Sequence, residues 1–110
     1  MFTRPAALDL ARGFAQELTK LGLNLQQVVV FGSYARGDAR EESDIDLALI
    51  SQDFTGAGPL DVRPMAHLLA RKPYLFIEPH TFSPAQFTDD NPFVAEIKRT
   101  GIVVGEWERA

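Results

Sequence analysis

Apolar residues recur along the first part of the chain at intervals of three and four positions, the spacing of one face of a helix. The series comprises Ala7, Ala11, Phe14, Leu18 and Leu21. Thr3 and Pro5 are residue types that begin helices, and Gly22 is suited to end one in a left-handed cap. The pattern therefore predicts an amphipathic helix over this segment.

Two segments further on have the apolar character of strands in a sheet that helices cover. Residues 27–31 are short, rich in valine and apolar on both faces. A second strand is predicted from Asp44 to Ile50. The alternation of side chains along it places Asp44 and Asp46 on one face, while the apolar residues at positions 45, 47 and 49 take the other. Two acids are unusual in a strand that serves only to pack.

The middle of the chain predicts a second helix followed by a third strand. Asp61 is suited to cap this helix and Pro73 to prevent its continuation. Its buried face would comprise Met65, Leu68 and Leu69. The third strand is predicted from Tyr74 to Pro79. We expect Pro79 to end its pairing, because proline lacks the N–H group that a ladder needs.

Two further helical segments and a last strand are predicted near the end of the chain. Ser83 and Gln86 have the spacing of a capping box, so a short helical turn is expected there. Asn91 would begin a helix that ends near Gly101, and residues 102–104 predict a final strand. This alternation predicts one α/β domain over residues 1–110, with helices packed on a short mixed sheet of three or four strands.

Composition agrees with a small folded domain. The chain has 110 residues, of which 45% are hydrophobic and 8 are phenylalanine, which is enough to build a core. The absence of cysteine excludes a disulfide framework and a thiol nucleophile. With no membrane segment or leader visible, we expect a cytoplasmic protein without a membrane partner. A formal net charge of -4 argues against binding of nucleic acid by charge alone, so we expect no such partner.

The segment between the first two strands carries the candidate chemistry. The first strand ends at Gly32 and Ser33, and ten residues later the second begins with Asp44 and Asp46. Glycine lets the backbone approach a ligand, and the N–H groups and serine hydroxyl that follow can donate to phosphate oxygens. Two carboxylates on one strand face can share hard cations such as Mg²⁺, which combines carboxylates with substrate phosphates. A phosphate cradle beside a metal pair implies phosphoryl or nucleotidyl transfer.

The same run resembles the signature of the minimal nucleotidyltransferase family of the DNA polymerase beta superfamily. The matching residues are Gly32, Ser33, Ala35, Arg36, Gly37, Ser43, Asp44 and Asp46. The resemblance implies the polymerase beta-like nucleotidyltransferase fold, with ATP phosphates held at Gly32 and Ser33 and two Mg²⁺ ions at the paired acids. It also implies transfer of AMP from ATP to an acceptor hydroxyl, with release of pyrophosphate.

A third carboxylate on a neighbouring strand completes the site in that family, often as an aspartate that also helps to deprotonate the acceptor. The matching position here is Glu78, which is one methylene longer than aspartate. Two interpretations are open at this point. Glu78 is either a catalytic metal ligand or an acid that lies at the sheet edge in solvent.

Other polar residues near the motif also have alternative interpretations. Arg36 is expected to reach the triphosphate, while Arg40 more simply balances the acids of its loop. Tyr34 would either stack on the base or pack over the turn. A single histidine is more often a surface or core residue than a ligand, which is the default interpretation of His67 and His80. For His80, which lies near Glu78 in the sequence, contact with the substrate is the alternative.

The resemblance further suggests what accepts the nucleotide. Stand-alone domains of this kind are often paired with a helical HEPN toxin, which they neutralise by binding it or by adenylylating one of its tyrosines. We therefore expect a protein adenylyltransferase that acts as the antitoxin of such a pair, in a hetero- or homo-oligomer. Two rivals are a non-catalytic module that neutralises its partner by contact, which Glu78 favours, and a small-molecule nucleotidyltransferase that acts as a dimer.

Overall fold

The computed structural model describes residues 2–107. Within that range five helices and four strands alternate along the chain. The helices are α1 (Arg4–Lys20), α2 (Ser33–Arg36), α3 (Gly58–Val62), α4 (Ala66–Leu69) and α5 (Pro92–Thr100), and 3₁₀ turns occupy Arg63–Met65 and Lys72–Tyr74. The strands are β1 (Leu25–Phe31), β2 (Ile45–Ser51), β3 (Ile77–Phe82) and β4 (Ile102–Glu106).

The strands form one mixed sheet in the order β3-β2-β1-β4. β1 pairs antiparallel with both β2 and β4, whereas β3 pairs parallel with β2 at the edge. The central strands are apolar on both faces because α1 covers one face and α5 the other. This arrangement confirms the predicted α/β layers on a short mixed sheet.

The alternation of side chains predicted for β2 is confirmed by the packing of the two faces. One face of β1 and β2 packs against α1 through Val28, Val30, Ile45, Leu47 and Leu49. The opposite face packs against α5 through Val29, Phe31, Ala48 and Ile50. Asp46 shares this second face, so its carboxylate lies on the side of the sheet that α5 covers.

Helix α1 begins and ends at the residues that the sequence indicated. The hydroxyl of Thr3 accepts a hydrogen bond from the N–H of Ala6 at 3.2 Å. At the other end Gly22 has φ 93°, and the N–H of Leu23 donates to the carbonyl oxygen of Leu18 at 3.2 Å, as in a Schellman motif. Among residues 2–107 no helix, this 17-residue one included, is both long and apolar enough to cross a membrane.

The third strand differs from the prediction at both ends. β3 begins at Ile77, because the residues before it form a 3₁₀ turn in which Tyr74 packs on Phe14 with ring centroids 5.4 Å apart. It continues for three residues beyond Pro79, so the expectation that proline ends the pairing is wrong. β3 lies at the sheet edge, where a missing N–H can face away from the neighbouring strand. Glu78 is therefore paired within the strand and does not terminate it.

The turn before α5 and both ends of α5 lie where the sequence predicts them. The side-chain oxygen of Gln86 accepts from the N–H of Ser83 at 3.0 Å, so this half of the capping box is present in a single hydrogen-bonded turn. α5 begins after Asn91, whose side-chain oxygen accepts from the N–H of Phe93 at 2.9 Å, and it ends before Gly101. The predicted helix is confirmed.

The predicted second helix is broken into shorter pieces. α3 begins three residues before Asp61, and Pro64 lies in the 3₁₀ turn that separates α3 from α4. The expectation that Asp61 caps a helix is therefore wrong. Met65 and Leu68 are buried as expected, whereas Leu69 is half-buried.

Asp61 instead ties the loop before α3 to the edge strand. Its carboxylate accepts hydrogen bonds from the N–H groups of Thr55 and Gly56, both at 2.8 Å. It also accepts from the hydroxyls of Thr55 at 3.0 Å and Thr81 at 2.9 Å, and the residue is only 6% exposed. Burial by itself would raise the pKa of Asp61, but these hydrogen bonds favour the charged form and outweigh it, so the pKa lies below its ordinary value.

We expect Asp61→Asn to destabilise the fold by about 2–3 kcal/mol, because the amide would present N–H groups to buried donors. Since the folded pKa is lowered, this stabilisation is complete above the pKa of the unfolded aspartate and is lost as pH falls through the folded value. Urea unfolding should show a difference between wild type and variant at pH 7 that shrinks towards about pH 2. The exposed Asp53→Asn is the control, with an expected change below about 0.5 kcal/mol. A difference that is independent of pH would contradict the assignment.

Candidate active site

The turn that follows β1 is built around two glycines. Gly32 has φ 73° and ψ -148°, a conformation that is open to glycine and strained for other residues. Ser33 begins α2 immediately afterwards, and Gly37, at φ 87°, ends this helix after one turn. The backbone thus changes direction within a few residues at the end of a buried strand.

Arg4, at the beginning of α1, stabilises this turn through two hydrogen bonds. Its guanidinium donates to the carbonyl oxygens of Tyr34 at 3.1 Å and Ala35 at 2.9 Å, which lie in a helix too short to satisfy them. Tyr34 is 3% exposed and its hydroxyl accepts from the N–H of Phe2 at 3.3 Å. Of the two interpretations of Tyr34, the structure supports packing and not stacking on a base.

The turn meets the acidic strand at Gly32. A Cβ atom at this position would overlap Oδ2 of Asp46, so a larger residue would displace the carboxylate. Phe31, the last residue of β1, is the ladder partner of Asp46, which explains why the turn lies directly beside this acid. The glycine is therefore required twice, once for its backbone conformation and once for the close approach of Asp46.

Two of the predicted acids are brought together by the parallel pairing of β2 and β3. Asp46 and Glu78 are direct partners in the ladder, so their side chains emerge on the same face of the sheet. His80, two residues further along β3, joins them: its Nε2 lies 3.4 Å from Oδ1 of Asp46 and 3.9 Å from Oε1 of Glu78. The possible ligand atoms of these three residues all lie within 4.8 Å of one another.

Asp44 lies just outside this three-residue group. It is exposed, and it precedes β2, which begins one residue later than predicted. Partial burial raises the pKa of Glu78, although its side chain is 53% exposed, and the negative charge of Asp46 raises it further, whereas His80 lowers it. The charge of Asp44 and its hydrogen bond to Glu78 act in the same direction as Asp46. The carboxylates therefore repel one another, and a divalent cation bound between them would relieve this repulsion.

A cleft of about 360 Å³ opens between α2 and α5, and Asp46 is the acid of this group that lines it. Ser33, Arg36 and Asp46 line it on one side, and Phe93 of α5 lines it on the other. Phe93 is 46% exposed, and its ring packs against Phe31 with centroids 5.6 Å apart. Four of the predicted site residues thus line one cavity, namely Gly32, Ser33, Arg36 and Asp46.

Arg36 is positioned to bring positive charge to this cleft. Its Nε lies 3.3 Å from Oδ2 of Asp38, and both side chains are mostly exposed. An exposed ion pair of this kind is weak, so it would not hold the guanidinium away from a phosphate. Arg40 is exposed on the loop before β2, where its N–H donates to the hydroxyl of Ser43 at 2.8 Å.

The donor set of Asp46, Glu78 and His80 suits a divalent cation. Carboxylate oxygens are the ligands that Mg²⁺ takes from proteins, and an imidazole nitrogen is an additional ligand for transition metals. The sequence alone does not reveal that His80 joins the acids, because this depends on the register between β2 and β3. The spacing of His80 two residues after Glu78 was the available signal, since residues i and i+2 of a strand share a face.

A profile of the nucleotidyltransferase domain family matches residues 11–100 of the chain. A relative from Methanocaldococcus jannaschii bears the name "putative protein adenylyltransferase" and is 38% identical over 47 residues. The matched segment covers 42% of this chain and 48% of that relative, so the chain spans about half of the relative's length.

Two solved structures share the fold. A crystal structure of a "putative nucleotidyltransferase" from Sulfolobus solfataricus superposes with a TM-score of 0.67 at 22% identity, covering 94% of this chain and 84% of that one. A crystal structure of a toxin-antitoxin with AMP-PNP superposes with a TM-score of 0.61 at 18% identity, covering 88% of this chain and 74% of that one. At these identities the likeness establishes the fold alone.

Proposed function

The chain belongs to the nucleotidyltransferase domain family, and on that premise we propose that it transfers AMP from ATP to a hydroxyl group of a partner protein. The observation that carries the proposal is the contact between the Gly32 turn and Asp46, which is itself paired across the sheet with Glu78. The turn suited to phosphates thus shares a cleft with Asp46, whose ladder partner Glu78 supplies a second carboxylate for a divalent cation. Nucleotidyl transfer requires both in this proximity.

In this proposal the turn holds the nucleotide and the acids hold the metal. The N–H groups after Gly32 and the hydroxyl of Ser33 donate to the phosphates, while Arg36 adds a positive charge. Asp44, Asp46 and Glu78 are the proposed ligands of Mg²⁺. When bound, Mg²⁺ would neutralise the negative charge that develops on the phosphates.

The transfer itself forms one bond and breaks another. The acceptor oxygen bonds to the α-phosphorus of ATP, and the bond from that phosphorus to the bridging oxygen of the β-phosphate breaks. Pyrophosphate leaves, and Glu78 accepts the proton of the acceptor hydroxyl. The protein contributes mainly by fixing these groups in line and by its fixed charges.

Two similarities support a protein as the acceptor. The relative from Methanocaldococcus jannaschii is named for protein adenylylation, and a toxin-antitoxin with AMP-PNP shares the fold. We accordingly propose that the chain is the antitoxin of a toxin-antitoxin pair and that its partner is a HEPN-type toxin, whose tyrosine hydroxyl would be the acceptor. Modification at such a residue would inactivate the toxin.

The test uses ATP labelled at the α-phosphate, the purified protein, Mg²⁺ and a lysate of the host cell. We expect a labelled band that is sensitive to protease and depends on the added protein, and no such protein-dependent band when the γ-phosphate carries the label, since AMP transfer retains only the α-phosphate. The band should be absent with Asp46→Asn. Mass spectrometry of the band would identify the modified protein and its residue.

Other outcomes would point to the rival functions. Asp46-dependent label from the γ-phosphate would indicate phosphoryl transfer and contradict the proposal. Label on a small molecule would favour a small-molecule nucleotidyltransferase. Absence of any Asp46-dependent label, together with tight binding to a toxin, would favour a non-catalytic module that neutralises its partner by contact.

A further inference from the structure

His80 introduces a nitrogen donor into a site otherwise composed of carboxylates. Its Nε2 lies closer to Asp46 than to Glu78, at 3.4 Å and 3.9 Å from their nearest oxygens. In an octahedral site with bonds of about 2.1 Å, neighbouring ligands lie about 3 Å apart and opposite ligands about 4.2 Å apart. Both measured distances fall between these limits. All three candidate ligand atoms lie within 4.8 Å of one another, so rotation of the side chains would bring them to a single ion.

The imidazole of His80 is held in this position by its surroundings. Its ring packs edge-on against Phe31 with centroids 5.0 Å apart and against Phe93 at 6.1 Å. The side chain is only 29% exposed, and its residue is paired with Ala48 in the β2–β3 ladder. A side chain anchored by the sheet and by two aromatic rings loses little conformational entropy when it binds a ligand.

We propose that His80 is a metal ligand of this centre, which therefore binds a first-row transition-metal dication such as Mn²⁺ in preference to Mg²⁺. Mg²⁺ takes oxygen ligands and parts reluctantly with its water, whereas transition-metal dications gain from an imidazole nitrogen. The proposal rests on the metal site of the proposed function and adds the identity of the preferred ion. Mg²⁺ would still bind to the carboxylates, but more weakly.

Electron paramagnetic resonance of the purified protein with Mn²⁺ alone tests this directly. Pulsed measurements should show coupling of the bound Mn²⁺ to a directly coordinated ¹⁴N nucleus. Competition of Mg²⁺ against Mn²⁺ gives the Kd for Mg²⁺ divided by the Kd for Mn²⁺, a ratio that measures the preference for Mn²⁺. In His80→Gln the nitrogen coupling should vanish and this ratio should fall at least about tenfold, because glutamine keeps an oxygen donor and removes the nitrogen.

His67 provides the matched control, because it is the other histidine of the chain and is exposed on α4. His67→Gln should keep both the nitrogen coupling and the preference for Mn²⁺. The wild-type spectrum does not depend on whether any variant folds: bound Mn²⁺ without nitrogen coupling would overturn the proposal. An unchanged ratio in a folded His80→Gln protein would do the same.

The result separates this inference from the proposed function. Asp46-dependent AMP transfer without nitrogen coupling would leave the function standing and remove His80 from the metal site. Nitrogen coupling without any transfer would establish the metal ligand and contradict the function.

Discussion

Replacing Asp46 by asparagine should reduce AMP transfer at least about a thousandfold, equivalent to about 4 kcal/mol of transition-state stabilisation. Asp46 touches each part of the site: the turn at Gly32, its ladder partner Glu78, and His80. Asparagine has nearly the same shape but lacks the negative charge that a divalent cation needs. The loss should therefore arise from chemistry and not from a change of fold.

The same variant should be at least as stable as the wild type when metal is removed with EDTA. Partial burial and then the charge of Asp46 raise the pKa of Glu78, so ionised Glu78 is less favourable in the folded chain than in the unfolded one. Removal of the Asp46 charge relieves this penalty at neutral pH. The gain should fade as pH falls through the pKa of Glu78, because a protonated carboxyl feels no repulsion.

Two measurements check the Asp46 prediction, namely label incorporation from α-labelled ATP and thermal unfolding in EDTA. Asp9→Asn is the control, since Asp9 lies on the exposed face of α1 in an ion pair with Arg12. It should keep wild-type transfer. Transfer by Asp46→Asn above about one tenth of the wild-type rate, or a large fall in its melting temperature, would contradict the role assigned to Asp46.

Replacing Gly32 by alanine should lower AMP transfer by about a hundredfold or more. The alanine would be strained at φ 73°, and its Cβ would displace the carboxylate of Asp46. Misplacement of a metal ligand by about 1 Å is enough to cost two orders of magnitude in rate. The binding of Mn²⁺ to the isolated protein should weaken in parallel.

The control variant Gly22→Ala separates the effect of backbone strain from the effect of displacing the Asp46 carboxylate. Gly22 also has a positive φ, of 93°, but a Cβ there would meet no atom within 4 Å. This control should lose about 1–2 kcal/mol of stability from strain alone and keep full transfer activity. If Gly32→Ala lost only stability, as Gly22→Ala should, the close approach of Asp46 would have no catalytic importance.

The local elements follow from the sequence because their causes are local. The ends of α1 at Thr3 and Gly22 and the cap of α5 at Asn91 depend on side chains within a few residues, and each is confirmed. The alternation of apolar residues along β2 likewise predicted which residues face α1 and which face α5. The motif from Gly32 to Asp46 was sufficient to predict the family, which the match over residues 11–100 confirms.

Errors in the prediction arose where a residue interacts with distant parts of the chain. Pro79 is tolerated in β3 because this strand lies at the edge of the sheet, a position that its own sequence does not specify. Asp61 does not cap a helix because its carboxylate accepts hydrogen bonds from Thr55 and Gly56 in the preceding loop and from Thr81, twenty residues away. The sequence left two interpretations of Tyr34 open, and its contact with the distant Phe2 decides for packing.

The sequence by itself determined the family, the order of the four strands, the helices α1 and α5, and the turn and acids that form the candidate site. Only the tertiary structure decided that Glu78 lies opposite Asp46, that His80 joins them, and that Asp44 lies outside this group. The physical reason is the register between two parallel strands that a long segment of chain separates. A shift of one residue would turn Glu78 and His80 to the opposite face of the sheet, and packing across the whole sheet sets that register.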